Sequence, residues 1–133
     1  MPDPAADDVA IRNALARYCH LNDAQDWGAW AQLFTEDCEA DLTGGVFKGR
    51  EALEAFVRGL NSPKGRHLIT NSEISVAGDE ADVMSDLLML VPSDDGELRI
   101  LCACRYYDRY RRVDGAWLIA YKRAADHIWN RNE

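Results

Sequence analysis

The chain has 133 residues, 47% hydrophobic and 29% charged, with a formal net charge of −8. That length suits one domain, 1–133, and not two, and the composition is that of a folded globular protein. So acidic a domain repels phosphate backbones, which argues against nucleic acid as a partner and says nothing against a small neutral substrate.

The opening segment, Met1 to Asp8, is acidic and lacks the basic and apolar regions of a signal peptide. No apolar run approaches the ~20 residues of a membrane helix. The expectation is a cytoplasmic protein without membrane contact.

Ile11, Ala14, Leu15, Tyr18, Leu21 and Asn22 recur at steps of three and four. This spacing predicts an amphipathic helix from Val9 to Leu21, with Asp7 or Asp8 as its cap. A second short helix is predicted from Asp26 through Phe34, capped by Asp26 and ended by Thr35-Glu36-Asp37. Cys38 to Leu42 reads as a short strand and Gly44-Gly45 as a turn. A third helix begins at Gly49 and reaches about Leu60. The loop Asn61 to Gly65 then leads to His67.

From there the hydrophobic period changes to two. Arg66–Ala77, Glu80–Val91, Leu98–Arg112 and Trp117–Trp129 all read as strands. Gly78-Asp79, Pro92 to Gly96 and Asp114-Gly115 supply hairpin turns. Three helices followed by an antiparallel meander make an α+β domain. Four long strands in so short a chain must curl, and helices across the open face then enclose a pocket.

The four cysteines are Cys19, Cys38, Cys102 and Cys104. None forms a Cys-x-x-Cys pair, so the spacing points to buried free thiols and not to zinc. No phosphate loop and no other metal motif stands out.

Asp23 and His67 are the residues that most suggest chemistry. Asp23 follows the first helix, and His67 opens a strand in Arg66-His67-Leu68-Ile69-Thr70-Asn71. Only folding can join them. Once joined, a carboxylate fixes the tautomer of an imidazole, which then moves protons near neutral pH. The plain alternative is a structural histidine and a turn-capping aspartate.

The layout resembles the nuclear transport factor 2-like superfamily and, within it, the SnoaL-like group. Four stretches carry the resemblance: Tyr18 to Trp27, Leu33 to Asp37, Arg66 to Asn71, and Tyr106 to Trp117 with its Asp114-Gly115-Ala116-Trp117 turn. The group includes scytalone dehydratase, bile-acid 7α-dehydratase, lindane dehydrochlorinase and the β subunits of ring-hydroxylating dioxygenases. The resemblance implies a cone-shaped, half-open barrel: a strongly curved, mostly antiparallel sheet with about three N-terminal helices enclosing a pocket. It also implies that Asp23 and His67 form a working dyad. Tyr18 matches a tyrosine that the bile-acid dehydratase carries five residues before its aspartate. Asp86 loosely matches a further acidic residue of that enzyme. A second catalytic histidine is not matched, since neither His20 nor His127 falls where scytalone dehydratase has one. The related dehydratases and β subunits imply a homotrimer in preference to a dimer.

The reading that results is a lyase of the dehydratase type, acting on a small cyclic or aromatic hydrophobic compound. Its catalytic residues are Asp23, His67 and Tyr18, and it needs no cofactor and no metal. The alternatives are an isomerase or cyclase in the same pocket, or a non-catalytic ligand-binding or assembly subunit. Trp27 is expected to line the pocket and Arg105 to meet an anionic substrate group. Asn71, four residues from His67, shares its face on a straight strand and either meets substrate or satisfies backbone. Asp86 shares a face with Met84, Leu88 and Leu90, where a carboxylate needs a partner or a function. Arg105, Arg109, Arg111, Arg112, Lys122 and Arg123 read as a solvated or intersubunit basic face.

Overall fold

The computed structural model describes residues 2–130. Helix α1 spans Pro4–Ala24 and begins earlier than the periodicity predicts. Asp3 is its cap, its side chain accepting from Ala6 N at 3.2 Å, and Pro4 sits at the first helical position, where its fixed φ is already helical. Asp7, expected as a cap, is instead nearly buried. Its carboxylate takes two hydrogen bonds from Arg112, at 2.9 and 3.0 Å, and one from Trp117 Nε1 at 3.3 Å.

Helix α2 is only Trp27–Ala31, capped by Asp26 as expected. It stops short because the chain is captured by the sheet. Strand β1 (Phe34–Leu42) runs parallel to β6 (Ala116–Asn130), with Phe34 opposite Ile119. Thr35 to Asp37 thus begin a strand and do not end a helix; cross-strand packing overrides local helical preference. A four-residue strand β2 (Gly45–Lys48), too short to leave a periodic signal, pairs back on β1. Helix α3 (Arg50–Gly59) follows.

The meander is close to the reading from period two. It comprises β3 (Arg66–Ala77), β4 (Glu80–Pro92), β5 (Leu98–Val113) and β6. The six strands order as β2-β1-β6-β5-β4-β3, antiparallel except for the β1–β6 pair. The sheet is curved and unclosed, with β3 at one edge. On β4 the odd residues from Ala81 to Val91 are buried, while the even ones face the other way. The buried face meets α1 through Ile11, Leu15, Tyr18 and Cys19 and α3 through Leu53 and Val57. Trp30 and Phe34 pack into this layer with their rings tilted at 57° and centroids 4.8 Å apart. Among the described residues, no helix is long and apolar enough to cross a membrane.

Candidate active site

The end of α1 and the start of β3 build one corner of the site. Gln25 adopts a left-handed conformation (φ 56°) that stops α1, and its backbone N–H reaches back to Asn22 O at 3.0 Å. Its side chain donates to Ser62 O at 2.8 Å, tying the helix end to the loop that precedes β3. Gly65 closes that loop against β4. A Cβ there would lie 2.2 Å from the Leu90 carbonyl oxygen, so only glycine fits.

This joins Asp23 to His67. Asp23 Oδ1 lies 2.7 Å from His67 Nδ1 and accepts from the His67 backbone N–H at 2.9 Å. The backbone bond follows from topology. As an edge strand, β3 presents N–H groups that no neighbouring strand satisfies, and Asp23 takes one of them. Both side chains are nearly buried, at 9% and 11% exposure. With Nδ1–H donating to the carboxylate, Nε2 is left as the basic nitrogen.

Both residues line a cavity of about 580 Å³ between the helices and the sheet, a size suited to a small ligand. Trp27, Trp30 and Phe56 wall it from the helices, and Leu87, Met89 and Leu101 from the sheet. A wider trough of about 740 Å³ lies elsewhere on the sheet, lined by Glu73, Asp82, Met84 and Arg109. It holds neither member of the dyad.

Tyr18 and Tyr106 also line the cavity, their hydroxyls 3.5 Å apart. Behind them lies Lys122, 1% exposed. Its ammonium is 4.4 Å from the centre of the Tyr18 ring and 3.7 Å from that of Tyr106. It bonds both oxygens of Asp108 at 3.0 Å. Burial pushes both phenols above their ordinary range, so they stay protonated and able to donate. Burial also raises Asp108 and lowers Lys122, each opposed by the attraction of the other. Cys102, Cys104 and His127 also line the cavity. A hydrogen bond from Cys102 and then burial push the Cys104 thiol up.

The SnoaL-like domain family matches residues 3–123. The chain belongs to this family. A relative of this SnoaL-like protein is gamma-hexachlorocyclohexane dehydrochlorinase from Sphingobium indicum, 27% identical over 132 residues, or 96% of this chain and 85% of the relative. Among solved structures it is similar to a Mycobacterium tuberculosis protein of unknown function, with a TM-score of 0.86 and 32% identity over 98% of this chain and 79% of that one. It is also similar to a candidate scytalone dehydratase from Novosphingobium aromaticivorans, with a TM-score of 0.82 and 25% identity over 94% of this chain and 86% of that one. These likenesses give the SnoaL-like protein the cone-shaped fold.

The fold gathers Asp23, His67, Tyr18 and Trp27 around the cavity. It does not gather Asn71, Asp86 and Arg105 there. Those three meet one another on the other face of the sheet: Asn71 Nδ2 donates to Asp86 Oδ2 at 2.9 Å, and Arg105 Nε to Asp86 Oδ1 at 2.9 Å. The expectation for Asn71 assumed a straight strand. Instead β3 bulges between Thr70 and Glu73, with Asn71 at φ 52°, and the parity set by His67 is lost. Asp86 alternates with the cavity-lining Leu87, and Arg105 with Cys104 and Tyr106. Asn71 first and Arg105 second hold the Asp86 carboxyl below its usual range, which explains a carboxylate among apolar neighbours.

Most of the basic face resolves into ion pairs within the chain, while Arg123 lies over the Tyr107 ring. Arg109 meets Asp82, Arg111 meets Asp37, and Arg112 meets Asp7 and Asp79. Lys122 is the departure, a core residue and not a solvated one. Tyr106 escaped sequence reasoning, although Cys102, Cys104, Tyr106 and Asp108 alternate along β5 and so share a face. Lys122 had no comparable signal, because its burial depends on α1 lying over β6.

Proposed function

We propose that this SnoaL-like protein is an acid–base lyase for a small cyclic or aromatic hydrophobic compound. The observation that carries the reading is the 2.7 Å contact between Asp23 Oδ1 and His67 Nδ1 at the wall of an apolar cavity. His67 Nε2 takes a proton from carbon, and a hydroxide or halide leaves from the neighbouring carbon. Asp23 steadies the imidazolium that forms. Tyr18, backed by Tyr106, donates to the departing group or to an enolate oxygen. These steps draw only on acid–base groups and a desolvated pocket. The similarity to a dehydrochlorinase and to a candidate scytalone dehydratase supports elimination as the reaction type.

A panel of cyclic β-hydroxyketones and polyhalogenated cyclohexanes, incubated in deuterated water and followed by mass spectrometry, tests this. Loss of water or hydrogen halide that vanishes in His67→Ala supports the lyase. Retained mass with deuterium incorporated points to the isomerase that the same pocket permits. Turnover that is unchanged in His67→Ala would overturn both.

A further inference from the structure

Cys102, Cys104 and His127 come together only in the folded chain. One sulfur from each cysteine and a ring nitrogen of His127 lie within 4.8 Å of one another. The arrangement is built by a distortion of the β5–β6 ladder. Register shifts between Ala103 and Arg105: Arg105 faces Ala125, but Ala103 faces Trp129. The two surplus residues are on β6, and Asp126 takes φ 53° there. Such a bulge re-aims the next side chain, and here it brings His127 to the two thiols.

We propose that Cys102, Cys104 and His127 form a three-ligand site for a zinc ion, with the fourth position open to the cavity. Sulfur and imidazole donors select zinc over magnesium or calcium. Tetrahedral zinc holds such atoms about 3.8 Å apart, so closure asks each to move by no more than about 1 Å, within reach of side-chain rotation. Two thiolates and a neutral imidazole balance the charge of the ion, and a neutral site is compatible with the apolar wall around it. Binding releases the two thiol protons to solvent. With Nδ1 as the ligand atom, the 3.3 Å contact of His127 Nε2 with Thr43 Oγ1 would serve as an outer partner of the kind that orients metal-binding histidines.

Three protein ligands and one open position are the pattern of a reactive zinc, not of a structural one. The open position also faces the dyad. His67 pairs with Met89 and Met89 with Cys102 across β3, β4 and β5. Two strand spacings put the His67 and Cys102 backbones about 10 Å apart on one face. An oxygen or halide of the compound that His67 deprotonates would bind there as the fourth ligand; this last role rests on the acid–base reading, and the site itself does not.

The test is binding and not turnover, so it stands or fails apart from that reading. The full chain, reduced and stripped with a chelator, is titrated with cobalt(II) as a spectroscopic substitute for zinc. The expected result is an intense thiolate-to-cobalt charge-transfer band that saturates at one ion per chain and is displaced by zinc. Cys102→Ser and His127→Ala, each checked for an unchanged circular dichroism spectrum, should abolish or shift the band, whereas Cys38→Ser should keep it. Thr43→Ala should weaken zinc binding by roughly 10- to 100-fold in a chelator competition. No charge-transfer band in the wild-type protein, or one that survives unaltered in Cys102→Ser, overturns the site.

Discussion

A single oxygen of Asp23 serves His67 twice, at the ring nitrogen Nδ1 (2.7 Å) and at the backbone N–H (2.9 Å). The carboxylate therefore fixes the ring and the strand that carries it together. Asp23→Asn keeps an oxygen able to accept both bonds but removes the charge that steadies an imidazolium. His67→Gln removes the base. We expect each to lower turnover of an eliminated substrate by roughly 10²–10⁴-fold, with a smaller effect on KM. A fall in kcat of less than ten-fold in both variants would assign the pair a structural role.

Lys122 and Asp108 are sealed in the core at 1% and 0% side-chain exposure. Removing one partner leaves a buried charge without its counterion. Lys122→Met should cost about 3–5 kcal/mol, and the double variant Lys122→Met/Asp108→Leu should recover much of that loss. Urea unfolding of Lys122→Met, Asp108→Leu and the double variant decides it; a double-variant loss equal to the sum of the two single losses would mean that the pair is not coupled.

Gly65→Ala places a methyl group against the Leu90 carbonyl. That oxygen belongs to the backbone of β4, which cannot rotate away. The start of β3 must shift instead, and His67 lies two residues on. We expect a loss of about 1–3 kcal/mol from overpacking, together with a weakened Asp23–His67 bond. Thermal melting reads the first, and the NMR signal of the His67 Nδ1 proton the second. An unmoved signal would show that the loop tolerates the methyl group.

Asp7 carries a pH dependence. Hydrogen bonds from Arg112, then from Trp117, hold its carboxyl below the usual range against the opposing pull of desolvation. A folded pKa below the unfolded one means that the stabilisation is complete above the ordinary carboxylate value. It is lost as pH falls through the lowered folded value. The difference in Tm between wild type and Asp7→Asn should be constant near neutrality and shrink in acid. A difference that widens in acid would reverse the assignment.

Leu98, Ile100, Ile128 and Trp129 stand 42–88% exposed towards one end of β5 and β6. Apolar patches of this kind favour association. We expect a homotrimer in sedimentation equilibrium and a lower mass for Ile128→Lys/Trp129→Lys. A monomeric wild type would remove the expectation.

Much of this molecule was legible along the chain. The ends of β3 to β6 follow from period-two burial between glycine and aspartate turns. Asp23 and His67 stand out because a carboxylate after a helix and a histidine opening a strand are local signals. What failed was whatever depended on the third dimension. Asn71 loses its parity to a bulge that no residue type announces. Phe34 leaves its helix because Ile119, far along the chain, pairs with it. Lys122 reads as a surface charge until α1 is laid across β6 and two tyrosine rings enclose it. Cys102 and Cys104 lack zinc spacing by themselves, and only a slip in the β5–β6 register supplies His127. Periodicity and turn chemistry, being local, set the elements and the residue types available for chemistry. Strand register, bulges and edges are long-range, and they decided which of those residues face the cavity and which face each other.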